Sequence, residues 1–566
     1  MNVTETRVLR ADLALAAYPD RVPDDLQRWA RATPHATFLA ERDATGWRTI
    51  SFARMLERVR RTAAGLLAAG GSADEPVAIV ADNGIEHAVV ALAGMYAGIP
   101  VSPLSVGYAR PDADPARLRA LFDVLRPNAA FVPDVGMAER VAAAAPHVTI
   151  FHDAEALEED PAAADRVYET VGPDTTAKVL FTSGSTGTPK GVITTHRMLC
   201  ANQTMVAQIW PAAVAAPVLV DWAPWSHTAA GSKIFGIALR HGGTFYVDDG
   251  KPLPGAFEAT LRNLREIAPT FYFTVPRAWA LLADALEAEP ELARTFFSRV
   301  RVLLNAGAAI PETLRRRIAA LAQASSGRAI PVVSCWGATE TAPMATAIWG
   351  ERPAEPETIG TPTPGVEIKL APLDGRLEMR VRGVTVTPGY WRDASATAAA
   401  FDEEGFYRSG DAVELLDEGD PSRGILFRGR LSENFKLSSG TWVNVGAVRL
   451  ALLTAAAPLL EDVVLAGGDR DELGALLFIA GGGRADPASL SALRVRFEQY
   501  NRQHAATSQR IGRALILPDM PRASAGEITD KGSVNQRRVL ANRDAEAARL
   551  FAAPPDPNVL VFPSPE

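Results

Sequence analysis

Apolar and polar positions in the first third of the chain switch between two periods. Residues 46–50 (GWRTI) alternate as a strand does, and Ser51 then stands where it can cap a helix. Phe52, Met55, Leu56, Val59, Ala63 and Leu66 share one face of that helix, which runs to about Ala69 and ends at Gly70 and Gly71. Residues 76–80 form a short apolar run suited to a buried strand, 82–84 (DNG) a turn, 85–96 a helix and 100–104 another strand. The alternation continues to residue 151, with helices near 116–125 and 136–145 and strands at 129–132 and 148–151. Strands that alternate with helices predict an α/β fold with a doubly wound, parallel sheet. Residues 1–45 show no such alternation and read as a lead-in segment.

Further along, helical spacing returns at 198–209 and 257–265, and apolar runs at 218–220, 243–247, 270–275 and 331–335, with a run at 301–311 that ends in small residues, predict strands. From residue 359 the strands become short, with turns between them, which predicts a β-barrel-like subdomain. From about 432 a second, smaller α+β domain is expected, with helices at 445–453 and 489–503 and strands at 462–466, 475–479 and 514–517. The proline-rich tail after Ala552 reads as an extended strap or as disorder.

One stretch breaks the pattern. Residues 181–192, FTSGSTGTPKGV, lie between the apolar run 177–180 and Val192-Ile193 and hold mostly small and hydroxyl side chains. Glycines let a backbone approach a ligand closely, consecutive N–H groups form an anion-binding concavity, and Lys190 adds a full positive charge. A flexible Gly/Ser linker is the plain alternative, but a strand leads in and apolar sequence leads out. The run is not a P-loop, which needs Gly-Lys-Ser/Thr opening a helix.

Composition narrows the classes. With 566 residues, 47% apolar and 22% charged, the chain can bury a large core in several domain-sized units. A net charge of −8 argues against a nucleic-acid partner. The only cysteines, Cys200 and Cys335, cannot build a disulfide framework, which fits a reducing interior. No apolar stretch of transmembrane length and no secretory leader is evident, so a cytoplasmic chain without stable membrane insertion, monomeric or homodimeric, is expected.

FTSGSTGTPKGV, WGATET (336–341), GFYRSGD (405–411) and FRGRLSENFK (427–436) occur in an order that resembles the adenylate-forming superfamily. That superfamily includes acyl-CoA synthetases, luciferases and the adenylation domains of peptide synthetases. The resemblance implies that Thr182, Ser183, Gly184, Ser185, Thr186, Gly187, Thr188 and Lys190 hold the phosphates of ATP. It implies that Gly307 and Ala308 run beside the adenine, that Trp336 stacks on the purine where the family commonly has Tyr, and that Thr339 meets the α-phosphate. Glu340 would bind Mg²⁺, Asp411 both ribose hydroxyls and Arg430 the ribose, while His227 in the WSHT loop would line the acyl pocket near the phosphates. RGVTVTPGYW (382–391) matches a family element whose implied role is structural. Ser432 sits where the family commonly has Asp or Lys as a swivel, so the implied division is a large domain, 1–430, and a mobile domain, 431–566. The family's catalytic lysine directly follows the glycine matched by Gly526, but here Glu527 stands there, and Lys531 follows within GEITDKG. That segment resembles feruloyl-CoA synthases, and the catalytic role is carried to Lys531.

THRMLCANQ, WSHT, NLREIAPT, ATETAP, DEEGFY and EITDKG extend the feruloyl-CoA synthase resemblance over nearly the whole chain. They imply a hydroxycinnamate or other aryl acid as substrate, with CoA as acceptor. The loop Ala229-Ala230-Gly231-Ser232-Lys233 departs from that pattern by losing an aromatic and gaining a charge. Lys233 is then either an exposed residue or a group that recognises a small anion. The second option fits superfamily relatives that activate nitrite and pass it to an aryl amine without CoA. A third reading, a catalytically silent nucleotide-binding homologue, follows from the absence of lysine at its usual place. The presence of Lys190, Glu340, Asp411 and Arg430 argues against it.

Overall fold

The computed structural model describes residues 6–182, 189–253, 255–351, 353–483, 486–522, 525–528 and 534–563. The fold is mixed α/β, with a large N-terminal part built on several sheets and a smaller C-terminal part. In the first sheet the strands run in the order Thr149–Phe151, Ala129–Phe131, Val77–Ile79, Val101–Pro103, Thr176–Thr182 and Lys190–Thr195. The first five are parallel, and the last returns antiparallel to its predecessor. Alternate strand residues face opposite layers: Val77, Ile79 and Phe131 pack with the helices Phe52–Ala68 and Ile85–Tyr96. Ala78 and Ala130 pack with Pro115–Leu125 and Val135–Ala144. Helices on both faces make the sheet doubly wound, as the alternation predicts. Ser51 caps its helix by accepting from the Arg54 N–H, and Phe52, Met55, Val59, Ala63 and Leu66 are all buried.

A second parallel set, Phe271–Thr274, Val302–Asn305 and Val332–Trp336, continues into the short antiparallel strands Thr346–Ala347 and Thr361–Pro362. The barrel-like region is a five-stranded antiparallel sheet, in the order Arg7–Arg10, Val366–Leu373, Arg376–Gly383, Tyr407–Leu415 and Ile425–Arg430.

Residues 1–45 are not merely a lead-in. They supply the edge strand Arg7–Arg10, the helix Val22–Ala32 and the strand Thr37–Asp43 of a further sheet. The strand RVLR is flanked by arginines and has its partner far along the chain, so local periodicity does not reveal it. The C-terminal part has its own core, in which Val448, Leu452, Leu493 and Phe497 pack against Leu465, Leu473, Ala475 and Leu477. The tail is a strap: Val559–Val561 pairs with Ile511–Ile516, and the Phe562 ring stacks on Phe497 with centroids 5.5 Å apart. No helix among the described residues is long and apolar enough to cross a membrane.

Glu527 belongs to this smaller core. It is 1% exposed and accepts from Arg543 Nη2 at 2.8 Å, from Arg543 Nε at 3.0 Å and from the Arg522 N–H at 2.9 Å. The Arg543 guanidinium holds its carboxyl below the usual carboxylate range. Removing one partner strands the other charge in a buried site. Arg543→Ala should therefore destabilise the smaller part by about 3 kcal/mol in denaturant unfolding. The pair's contribution is fully present above the ordinary carboxylate value and should fade as pH falls through the depressed one.

Candidate active site

The strands Thr176–Thr182 and Lys190–Thr195 are antiparallel neighbours, with Thr182 opposite Lys190. Thr182 and Lys190 therefore stand side by side at the ends of two antiparallel arms. Ser183, Gly184, Ser185, Thr186, Gly187 and Thr188 lie outside the described residues. The Lys190 ammonium stands 5.0 Å from the centroid of the Tyr390 ring, a cation–π contact. The Tyr390 hydroxyl donates to Glu340 Oε1 at 3.0 Å. Tyr407 lies beside them, and burial with the Glu340 charge pushes both phenols up. Tyr390 and Tyr407 thus complete a cluster that the motif reading misses, since that reading gives GYW (389–391) a structural role alone. Its one local signal is Gly191: a Cβ there would stand 3.2 Å from Trp391 Cβ and 2.8 Å from Val179 Cγ1, so a small residue is needed where 390–391 crosses the two arms.

Thr339 and Glu340 lie in a single 3₁₀ turn, Thr339–Thr341, directly after the strand Val332–Trp336. Gly337 makes that exit possible, because a Cβ there would fall 1.4 Å from the Pro343 carbonyl oxygen. The neighbouring parallel strand Val302–Asn305 ends in the same direction, with Asn305 opposite Ser334. Asn305 Nδ2 then donates to the Ala308 carbonyl at 2.9 Å, and Gly307 takes φ +85°. Gly307, Ala308, Thr339 and Glu340 thus leave one edge of the sheet, at the carboxyl ends of its strands, where open α/β sheets bind ligands.

The same strand end carries Trp336, whose indole N–H donates to Asp411 Oδ2 at 2.8 Å. Asp411 lies opposite Arg430 in the antiparallel sheet, with Arg430 Nε 3.0 Å from Oδ1. Arg430 Nη1 also donates to the Ser409 carbonyl at 3.0 Å. Asp411 is 1% exposed, and burial pushes its carboxyl up to about 6 against the opposing pull of Arg430 and Trp336. An ionised carboxylate offers about four lone-pair sites, so each oxygen keeps capacity for a further donor.

His227 is half-buried, and its carbonyl accepts from the Gly231 N–H at 2.8 Å at the start of a π-helical turn, Ala229–Ile234. Two side chains clamp that turn. Lys178 Nζ donates to the Gly231 carbonyl at 2.5 Å, and Gln203 Nε2 to the carbonyls of Ser232 and Lys233 at 3.3 and 3.1 Å. Burial pushes the Lys178 ammonium down to about 7. Lys233 is not an exposed residue: it is 1% exposed and donates to Cys335 Sγ at 3.2 Å. A π-turn adds a residue to an α-turn and shifts the following side chains by about 100° round the axis, so helical periodicity misjudges its direction. Trp225 is core, packed edge-on against Phe235 and Phe245, while the half-buried Trp222 donates to Thr274 Oγ1 at 3.3 Å.

Lys531 lies outside the described residues. Of its flanks, Ile528 bridges to Val534, and Gly526 lies so near helix Pro115–Leu125 that a Cβ would stand 2.1 Å from Arg117 Nη2. No group of three or more ligating side chains that could hold a metal occurs among the described residues. Glu340 still fits a magnesium ion of the kind bound by one carboxylate and substrate phosphates.

Residues 26–391 match the family described as AMP-binding enzyme, and residues 434–553 match the AMP-binding enzyme C-terminal domain. A feruloyl-CoA synthase of Amycolatopsis sp is 31% identical over 409 residues, 69% of this chain and 76% of that protein. A linear gramicidin synthase polypeptide of Brevibacillus parabrevis is 27% identical over 84% of this chain, which spans just 6% of that protein. The solved A domain of carboxylic acid reductase from Segniliparus rugosus, in complex with AMP and a co-purified carboxylic acid, shares the fold. Its TM-score is 0.72 at 20% identity, over 94% of each chain.

Trp336→Phe keeps an aromatic ring but removes the donor to Asp411. The Asp411 carboxyl, already near 6, should then titrate higher still in carboxyl NMR. An unchanged titration would show that the indole bond does not form in solution.

Proposed function

The chain belongs to the AMP-binding enzyme family, and from that premise we propose that it is an AMP-forming acid–CoA ligase acting on an aryl, hydroxycinnamate-like acid. The observation that carries this reading is the meeting of Lys190, Tyr390 and Glu340 with Trp336, Asp411 and Arg430 around one sheet edge. The likeness to a feruloyl-CoA synthase supports the acid class.

A carboxylate is a poor acyl donor, since its charge repels nucleophiles and oxide is a hopeless leaving group. In the first half-reaction its oxygen attacks the α-phosphorus of ATP, giving acyl-AMP and pyrophosphate. Such chemistry asks the protein for position and charge neutralisation. Lys190 and residues 182–188 hold the departing phosphates, and Tyr390 fixes Lys190 and Glu340 relative to each other. Glu340 would hold Mg²⁺, which neutralises charge on the phosphates. Trp336, Asp411 and Arg430 position the nucleoside, and Thr339 meets the α-phosphate. Lys531 approaches from the C-terminal domain, bridging carboxylate and α-phosphate, with the swivel near 430–432. In the second half-reaction the CoA sulfur attacks the acyl carbon, AMP leaves, and the thiol proton goes to solvent. Free Cys200 and Cys335 fit a cytoplasmic setting.

A second reading, activation of nitrite for transfer to an aryl amine without CoA, is favoured by one observation, the buried Lys233 cation.

ATP–pyrophosphate exchange tests both readings, with aryl acids, fatty acids and nitrite, each with and without an aryl amine, while CoA consumption is followed. Aryl-acid exchange with CoA consumption is the expected result. Exchange driven by nitrite alone selects the second reading, and exchange with nothing points to a silent homologue. Lys531→Ala should slow adenylation by about 10²–10³ and leave thioester formation from supplied acyl-AMP nearly intact. Equal losses in both steps would reject the role given to Lys531.

Nucleotide binding should also depend on pH. Ionised Asp411 is the form that accepts from ribose hydroxyls, so AMP affinity measured by calorimetry should fall as pH drops through about 6. Asp411→Asn should remove that step. Stability moves the other way: a carboxyl raised by folding favours the fold below its ordinary value of 3.8 and loses that contribution as pH rises through about 6.

A further inference from the structure

Lys178, which packs against the π-turn, and Lys233, which belongs to it, are both buried, and only the first is fully accounted for by the fold. Lys178 is used up as a clamp, with the Gly231 carbonyl at 2.5 Å and Ser232 Oγ at 3.4 Å. Lys233 is 1% exposed, and the partner of its ammonium among the described residues is the sulfur of Cys335, at 3.2 Å. An ammonium has three donors, and a thiol sulfur is a weak acceptor. Burying a cation without a counter-charge is costly, and an anion that completes it relieves that cost.

The surroundings show that this placement is built. The π-turn aims Lys233 inward and is held on both sides, by Lys178 and by Gln203 from helix His196–Ile209. Turns of this kind often mark functional sites. One residue before it, Thr228 is 7% exposed and its hydroxyl is buried without a hydrogen-bond partner, a second unused donor in the same segment. The receiving residue, Cys335, belongs to the strand that ends in Trp336 and leads to Thr339 and Glu340. The ammonium thus lies against the strand that leads into Thr339 and Glu340.

We infer that Lys233 recognises an oxyanion of the activated molecule, so that the substrate carries a negatively charged oxygen group into the acid pocket. The inference rests on the ligase reading for the pocket's location. Two sources share this chemistry: a second carboxylate on an aryl acid, or a small inorganic oxyanion that is itself activated. Either would form charge-assisted hydrogen bonds with the ammonium. Within the ligase reading this narrows the aryl acid to one with a second anionic group, because the first carboxylate goes to the α-phosphorus and leaves Lys233 without a counter-charge.

Isothermal titration of the full chain with terephthalate, nitrite and benzoate tests this, in the wild type and in Lys233→Met and Lys233→Gln. Terephthalate or nitrite should bind the wild type more tightly than benzoate, and that preference should shrink at least about tenfold in both variants. Terephthalate selectivity identifies a dicarboxylate, and nitrite selectivity an inorganic oxyanion. Failure of both anions to bind the wild type, or an unchanged preference in folded variants, overturns the inference. If neither variant folds, the wild type still decides: the bound anion should slow alkylation of Cys335, and no slowing overturns it. Pyrophosphate exchange separates the two proposals. Lys233-dependent anion binding without exchange rejects the ligase reading alone, whereas benzoate-driven exchange with no anion preference rejects the inference alone.

Discussion

A carboxylate that folding removes from water has to be held from several directions, and Asp411 is held from two. Arg430 reaches one oxygen from the adjacent strand, and Trp336 reaches the other from the end of a different sheet. The bond from Trp336 ties the antiparallel sheet to the parallel one. Tyr390 adds a second polar contact, from its hydroxyl to Glu340. The position of Glu340 relative to Trp336, Asp411 and Arg430 depends on these polar contacts as much as on apolar packing. Asp411 and Glu340 are buried, so losing a donor to either leaves an unsatisfied group rather than a solvated one.

Much of this architecture is legible in the chain. The segment 46–151 can be read because each element carries its own punctuation, such as Ser51 before a helix and Gly70 after it. Asp411, Glu340 and Lys190 can be singled out because short motifs surround them. Tyr390 cannot, since an aromatic between Gly389 and Trp391 looks like packing until Lys190 and Glu340 are seen on either side of it. Lys233 is ambiguous in sequence because its direction depends on an irregular turn, and that turn depends on Lys178 and Gln203, remote along the chain. What escapes local reading is set by long-range partners.

Glu527 shows how a departure from a motif can have a structural cause. Its carboxylate joins Arg543, the Arg522 backbone and Asn542, and so ties the segment before Lys531 to the helix Gln536–Asn542 and the residue after it. A lysine at that position would face Arg543 and leave the core with two like charges. The reactive cation, if supplied by this segment, has to come from elsewhere in it.

The strand Arg7–Arg10 has a consequence for how the chain is made. It lies at the edge of the sheet that carries Asp411, and its neighbour Val366–Leu373 leaves the ribosome long afterwards. At about 5–20 residues per second, the first strand waits on the order of tens of seconds for its hydrogen-bonding mate. During synthesis this strand is an unmatched edge, and the sheet that carries Asp411 closes only after Val366–Leu373 has emerged.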